Sequence, residues 1–229
     1  MKIGIIVAME KELELFLPLL ENMEERTVEG RKYFTGNIGI HTVALMKVGI
    51  GKVNAALNTS VLLRSFAPDW ILNSGVAGGA DSSMRVLDLL VADAVAYHDV
   101  WCGPGTQWGA ADGCDVRIGT DRRICDIAQE VLGNDPHFRH GLICSGDIFV
   151  SKQEEVKTIK SHFPDALAVD MESGAIAQVC SMSGVPFNVI RVISDTPGEA
   201  ENISQYENFW TDAPRNTFKA ITSILHKLA

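Results

Sequence analysis

Three apolar, β-rich runs of this 229-residue chain, residues 2–9, 166–169 and 187–193, are followed closely by carboxylates. The acids that follow them are Glu12, Glu172 and Asp195. In open α/β sheets, ligands bind in the crevice beyond the carboxyl ends of the strands, so we expect these distant acids to meet at one pocket. Such a pocket repels phosphate and suits proton transfer and a developing positive charge.

Each of these acids also has an ordinary structural explanation. Glu12 and Glu172 would lie in the first turn of a helix, where a carboxylate interacts favourably with the helix macrodipole, with Asp170 as the cap of the second helix. Asp195 precedes residues 196–198 (TPG) and would belong to a turn. The functional alternative is a general base at Glu12 and, at Asp195, a desolvated acid that can donate a proton.

Three neighbouring residues extend the hypothesis of a ligand pocket. Arg191 lies within the third apolar run, and a cation there needs a carboxylate partner, for which we expect Glu12 or Glu172. Met171, between two acids, could pack against an apolar face of a ligand. Phe149 is predicted to be a core residue, with stacking on a base as the alternative.

Composition excludes several classes of function. The net charge of −9 and the pI near 5.1 argue against a nucleic-acid partner. No apolar run approaches the roughly 18 residues of a membrane span, and the opening MKIGIIVAME is too short for a signal peptide. The five cysteines are odd in number and fit no zinc or CxxC spacing, which indicates reduced thiols in a cytoplasmic protein.

Other sites with recognisable motifs are not indicated. The six histidines show no metal-ligand spacing, so no metal site is expected. A GxSxG elbow is missing, which leaves serine hydrolase chemistry without support. The glycine clusters at 49–51 and 75–79 fit neither the dinucleotide-binding nor the P-loop pattern. The first is predicted to form a turn, and the second either a tight strand-to-helix turn or a close backbone approach to a ligand.

The alternation of strands with helices predicts one α/β domain over residues 1–229 with a mainly parallel sheet, which a hairpin signal at Gly39 makes mixed. Strands are predicted at 2–8, 31–38, 42–48, 70–74, 86–100, 141–144, 166–169 and 187–194. Helices are predicted at 10–22, 53–65, 121–131, 152–162, 172–183 and 204–227. Residues 101–116 are punctuated by glycine and proline and are predicted to form a surface loop.

Six segments carry a resemblance to a known family. IGIIVAMEKE, GIGKVNAA, NSGVAGG, SGDIFV, AVDMESGAIA and VIRVISD occur in this order over residues 3–195. Together they closely resemble the bacterial 5′-methylthioadenosine/S-adenosylhomocysteine nucleosidases of the nucleoside phosphorylase superfamily. The resemblance implies a three-layer α/β/α fold around a central mixed sheet, a homodimer, no cofactor, and hydrolysis of the N-glycosidic bond with release of adenine.

The resemblance also implies a role for each matching position. Glu12 would activate water, Asp195 would protonate adenine N7, and Glu172 would bind the ribose hydroxyls. Arg191 and Ser194 would orient Glu12 and Asp195. Phe149 would stack on adenine, and Tyr206 would form a lid. The implied substrate contacts as a whole are Met9, Ile50, Val76, Gly78, Phe149, Val150, Met171, Arg191, Ser194 and Tyr206.

Some positions depart from the family pattern. Val76 replaces a serine that is frequent in relatives, and an extra residue within 196–210 affects the alignment of Tyr206. The loop 99–113 differs in length and composition, and in the family it reaches the 5′ pocket of the neighbouring subunit, so the preferred 5′ group stays open.

Three alternatives to this activity remain. A futalosine or aminodeoxyfutalosine hydrolase would use the same acids on another 5′ group. A purine nucleoside phosphorylase would need phosphate-binding arginines, whereas the first loop offers Met9, Glu10 and Glu12. A non-catalytic nucleoside-binding protein is disfavoured because all three acids are retained.

Overall fold

All ten strands in the part of the chain that the structure describes belong to one mixed sheet. The structure is a computed structural model that describes residues 1–212 and 214–228, without the side chains of residues 210–219. The strands are β1 (Lys2–Val7), β2 (Glu21–Val28), β3 (Arg31–Ile38), β4 (His41–Lys47), β5 (Trp70–Gly79), β6 (Leu89–Tyr97), β7 (Ile118–Gly119), β8 (Phe138–Ser145), β9 (Ala166–Asp170) and β10 (Phe187–Asp195). Their order is β10-β6-β8-β9-β5-β1-β4-β3-β2, with β7 paired to β6.

Part of this sheet closes on itself. Strand β10 pairs in parallel with β5 and antiparallel with β6, while the end of β9 pairs antiparallel with the end of β5. Strands β5, β10, β6, β8 and β9 therefore form a ring. Gly78 on β5 is opposite both Asp195 on β10 and Val169 on β9. Because paired strands lie only about 4.8 Å apart, this register brings the carboxyl ends of three strands together.

Helices pack on both faces of the sheet, which confirms the predicted three-layer α/β/α architecture. They are α1 (Glu10–Phe16), α2 (Lys52–Phe66), α3 (Arg122–Leu132), α4 (Gln153–His162), α5 (Ser173–Met182), α6 (Asn202–Asp212) and α7 (Pro214–Lys227). On β1, Ile5 packs into a core with α1, α3 and α7, whereas the next residue, Ile6, packs into a core with α2 and α5. Alternation along a strand thus supplies both cores. Within the described residues, every helix is too short or too polar to cross a membrane.

The predicted helix over residues 10–22 is wrong in its second half. Helix α1 ends at Phe16 and a single 3₁₀ turn, Leu17–Leu19, follows. Pro18 explains the break because it lacks the backbone N–H that a continuing helix would need. The next segment is strand β2, which the sequence did not reveal because it is exposed along almost its whole length and shows no apolar alternation.

The glycine-rich segment 75–79 is not the predicted turn but the end of β5, which runs on to Gly79 because β10 pairs with it as far as Gly78. The structure also has two helices, α6 and α7, in place of the single predicted helix over 204–227, and residue 213 between them lies outside the described residues. The hairpin at Gly39 is confirmed, with φ of +56° at that glycine. Residues 101–116 contain no helix or strand, as predicted.

Candidate active site

A pocket lies where the chain leaves β1, β5, β9 and β10. Its volume is about 610 Å³, including the open mouth. It is lined by Ala8, Met9, Glu12, Ile50, Val76, Ala77, Gly78, Ile148, Phe149, Val150, Val169, Asp170, Met171, Glu172, Ser194, Asp195 and Tyr206. Among these lining residues are four carboxylates and no lysine or arginine.

Glu12 is held by backbone donors. Its Oε2 accepts hydrogen bonds from the N–H groups of Ala8 at 2.8 Å and Met9 at 2.9 Å, and its Oε1 accepts one from Val76 at 3.2 Å. The residue is 4% exposed, and burial raises the pKa of its carboxyl, against these hydrogen bonds and the charge of Arg191. The bond to Met9 is also the cap of α1, so the helix-start explanation and the pocket position hold together.

Gly75 makes room for the Glu12 carboxylate. A Cβ at residue 75 would lie 2.7 Å from Glu12 Oε1 and 3.5 Å from Arg191 Nη1. No side chain fits there without displacing the acid, so the glycine is required by close approach.

Asp195 is the last residue of β10 and is 2% exposed. Its Oδ1 accepts a hydrogen bond from Ser194 Oγ at 2.6 Å, and its Oδ2 accepts one from Asn202 Nδ2 at 2.5 Å. Burial raises the pKa of the carboxyl, and the two donors oppose that effect. The turn-forming role, predicted as one alternative, does not explain why the Asp195 carboxyl group also lines the pocket.

Glu172 is the N-cap residue of α5, and its side chain is not used to cap the helix. Its Oε1 accepts a hydrogen bond from the N–H of Gly51 at 2.9 Å, across the pocket from its own helix. Burial, and then the neighbouring Asp170, raise the pKa of Glu172 to about 7. Gly51 has φ of +92°, a conformation that favours glycine and that aims its N–H at the acid.

The expected partner of Arg191 is wrong. Arg191 binds Asp170 Oδ2 through Nε at 3.0 Å and Nη2 at 2.8 Å, and Nη2 also donates to Asn73 Oδ1 at 2.6 Å. The reason is the position of Asp170 at the end of β9, which faces the guanidinium, whereas Glu172 turns into the pocket. Arg191 is 1% exposed and does not line the pocket; it acts on Glu12 through its charge alone.

Aromatic side chains cover one side of the pocket. Phe149 is 46% exposed, so the prediction of a core position is wrong. Its ring lies edge-on to that of Tyr206, with centroids 5.6 Å apart. The Tyr206 hydroxyl donates to Met9 Sδ at 3.3 Å, which ties α6 to the loop after β1.

All the residues that the sequence nominated, except Arg191, line this pocket. Besides lining the pocket, Gly78 packs tightly against another part of the chain, because a Cβ there would lie 2.9 Å from Pro197 Cγ. Sequence reasoning missed Asn73 and Asn202 and assigned Asp170 only a cap. A signal existed for Asp170, since it ends an apolar strand like the other acids, but nothing marked the two asparagines.

One His/Cys/Asp group in the described part of the chain has ligand atoms within 4.8 Å of one another, namely Asp93, Cys125 and His140. None of the three lines the pocket. Asp93 Oδ1 and His140 Nδ1 lie 3.4 Å apart. That the site works without a metal stays a prediction.

Comparisons with known proteins agree with one another. The model of the phosphorylase superfamily matches residues 2–226. The 5′-methylthioadenosine/S-adenosylhomocysteine nucleosidase of Lysinibacillus sphaericus is 38% identical over 231 residues, covering all of both chains. The chain belongs to this nucleosidase family.

Solved structures of the nucleosidase family share the whole fold. The Streptococcus pneumoniae enzyme, solved with the transition-state inhibitor MT-ImmA, superposes with a TM-score of 0.95 at 37% identity over all of both chains. A futalosine hydrolase mutant of Helicobacter pylori superposes with a TM-score of 0.91 at 30% identity, covering 99% of each chain. The fold alone therefore does not separate nucleosidases that differ in their 5′ group.

Proposed function

We propose that this protein hydrolyses the N-glycosidic bond of 5′-methylthioadenosine and S-adenosylhomocysteine, releasing adenine and the 5′-thio-substituted ribose. The observation that carries the proposal is the meeting of Glu12, Glu172 and Asp195 in one pocket without a lining cation. The family membership supports the same reaction.

Asp195 is proposed as the general acid. Adenine leaves poorly as an anion, so a proton delivered to N7 lowers the barrier, typically by about 10²–10⁴-fold in rate. Burial favours the protonated form of Asp195, as this role requires. Phe149, exposed at the pocket, provides a face on which the base can stack.

Glu12 is proposed as the general base and Glu172 as the ligand of the ribose hydroxyls. Three backbone donors fix the Glu12 carboxylate and oppose the effect of burial, which raises its pKa, so that the group can take a proton from water. As the bond breaks, the sugar becomes cation-like, and negative charge beneath it stabilises that state. Met171, which also lines the pocket, would pack against the sugar.

The charge of the pocket argues for water rather than phosphate as the nucleophile. A phosphate dianion would enter among Glu12, Asp170 and Glu172, and the nearest guanidinium, that of Arg191, is already bound to Asp170. Bidentate arginine contacts, which normally hold phosphate, are not offered by the lining residues.

We also propose that the protein is a homodimer in a reducing compartment, the cytoplasm. Beside the pocket mouth, Val53 and Leu57 of α2 are 78% and 46% exposed, and Ile50 and Ile148 at the mouth are 50% and 49% exposed. Exposed apolar side chains in these numbers fit an interface with a second copy of the chain. All five cysteines are free thiols, which supports a reducing environment.

The test is adenine release in phosphate-free buffer. Purified protein is incubated separately with methylthioadenosine, S-adenosylhomocysteine and futalosine, and the free base and sugar are quantified by chromatography. We expect adenine and the thio-substituted ribose from the first two without added phosphate. Dependence on phosphate would indicate a phosphorylase, and cleavage of futalosine alone would indicate the sibling hydrolase. Binding without cleavage would indicate a nucleoside-binding protein.

A further inference from the structure

Asn202 is a buried polar residue at the start of α6 that contacts the acid of the pocket. It is 3% exposed, and its Nδ2 donates to Asp195 Oδ2 at 2.5 Å. Its Oδ1 is buried and has no hydrogen-bond partner among the described residues. A buried amide oxygen without a partner is costly, so the residue is not explained by stability alone.

The two donors to Asp195 come from different elements. Ser194 belongs to β10 itself and its hydroxyl is fixed by the strand, whereas Asn202 belongs to α6, the helix beside the pocket. The same helix contributes Gln205, whose Oε1 accepts from Thr196 N at 2.9 Å and from Thr196 Oγ1 at 2.8 Å. Asn202 therefore contacts the Asp195 carboxyl group itself, whereas Gln205 contacts the next residue along the chain.

We propose that Asn202 is a positioning residue that orients the Asp195 carboxyl group for proton delivery. The proposal rests on the role assigned to Asp195 above. It goes beyond that role because it names the residue of α6 that holds the acid in place.

The chemistry of a primary amide suits this task. An ionised carboxylate needs a donor, which Nδ2 supplies; a protonated carboxyl group has its own O–H, which an amide oxygen can accept. A half-turn of the Asn202 amide exchanges the two atoms, so the contact persists in both protonation states of Asp195. The hydroxyl of Ser194 can also donate or accept. An acid that gains and loses a proton in each turnover is thus flanked by two groups that serve both states.

The other titratable groups that face Asp195 in the pocket do not replace these donors. They are Tyr206 from α6, Glu12 from α1, Glu172 from the start of α5, and Asp170 at the end of β9, which is paired with Arg191. Burial, and then the charges of Glu12, Asp195 and Glu172, raise the pKa of Tyr206, so this hydroxyl stays neutral. The described surroundings of Asp195 therefore stabilise its anion through hydrogen bonds rather than through a positive charge.

The first test is the pH profile of kcat/KM in three variants. Asn202→Leu removes the donor with little change in size, and Asn202→Asp keeps the shape but places a second acid against Oδ2. Because the anion of Asp195 loses a stabilising contact, we expect the basic limb to move up by about one pH unit in the first variant and further in the second. Gln205→Leu, the matched control, loosens α6 without touching Asp195; KM should rise while the basic limb stays.

The second test does not depend on activity. The Asp195 side-chain carboxyl carbon is followed by ¹³C NMR titration of the unliganded protein, with its resonance assigned by its loss in Asp195→Asn. The apparent pKa should rise in both Asn202 variants and not in Gln205→Leu. Asn202 variants that titrate like the wild type would overturn the proposal, even if their activity fell. Absence of adenine release from the wild type would refute the proposed function and leave this measurement intact.

Discussion

Glu12 and Asp195 are both buried carboxylates, but their hydrogen-bond partners differ in kind. Glu12 accepts from three backbone N–H groups, which cannot turn into acceptors. Asp195 accepts from a hydroxyl and a side-chain amide, and both of these groups can also act as acceptors. The partners of Glu12 therefore favour a carboxylate throughout, while those of Asp195 tolerate a proton. This difference supports the proposal that Glu12 is the base and Asp195 the acid.

Replacing either group should abolish most of the activity. We expect Glu12→Gln and Asp195→Asn each to lower kcat by at least about 10²-fold, since each removes one acid–base function. In the wild type, activity should rise as pH passes the raised pKa of Glu12, which must be ionised, and fall as pH passes that of Asp195, which must be protonated. Steady-state kinetics between about pH 5 and about pH 9 test this, with thermal melting as the folding control. A near-wild-type rate in one variant would remove that residue from the mechanism.

Glu172 should cost the protein stability at neutral and alkaline pH. Its folded-state pKa of about 7 lies above the usual value of 4.5, so the folded state binds the proton more tightly than the unfolded state. Stability is therefore highest below the lower value and declines as pH rises through the higher one. Glu172→Gln keeps an acceptor for Gly51 and removes the charge, so it should raise Tm at pH above about 7 and have little effect below about pH 4.5. A gain in Tm that does not vary with pH would contradict this explanation.

The sequence allowed the acids to be identified one by one, because each follows an apolar run. It did not allow the pairing of Arg191 with Asp170 to be predicted. Asp170 and Glu172 are two residues apart, and only the turn from β9 into α5 decides which one faces the guanidinium. Asn202 was equally hidden, since its contact with Asp195 depends on where α6 begins.

At the scale of elements, strand β5 leaves room for the Glu12 carboxylate because residue 75 is a glycine. Gly75→Ala should displace the Glu12 carboxylate, because the new Cβ would lie 2.7 Å from Oε1. We expect kcat to fall by more than about tenfold, as for a misplaced general base. The matched control is Gly119→Ala on β7, where nothing lies within 4 Å of the new Cβ. Equal activities of the two variants would show that Glu12 tolerates the shift.

Elements were predictable where a strong local signal set them. The cap at Asp121, whose side chain accepts from Arg123 N at 2.9 Å, and the glycine turn of the β3–β4 hairpin are local, and both were predicted correctly. Pro18 was present in the sequence but was overridden by the apolar spacing around it, so α1 was drawn too long. Strand β2 lacks any burial pattern and exists because β3 offers it an edge.

The whole molecule should be a dimer through the face around Val53 and Leu57. Leu57→Glu places a charge in that apolar face, so we expect it to shift the protein towards monomer in sedimentation velocity. Ile40→Glu is the matched control, because Ile40 is an apolar residue that is 73% exposed. It lies in the β3–β4 hairpin, at the amino end of β4, whereas the pocket lies beyond the carboxyl ends of β1 and β10. If both variants sediment like the wild type, the interface lies elsewhere.

At this scale the layered α/β class followed from the alternation of strands and helices, but the ring of strands did not. Closure depends on β10 pairing with both β5 and β6, which are far apart in sequence and carry no mark of their partners. The expectation that the strand ends meet was correct, yet the end of β9 pairs with the end of β5 in the antiparallel rather than the parallel sense. The continuous sheet also supports one domain over the chain, as we propose.

Strand β2 ends the sheet order and leaves one row of backbone groups unpaired within the sheet. Glu21, Glu24 and Glu25 give this border a negative charge at neutral pH, which discourages other molecules from adding a strand. A triple variant in which these glutamates become threonine lacks that charge. Its concentrated solutions should become turbid through strand-by-strand association, even though the pocket is untouched.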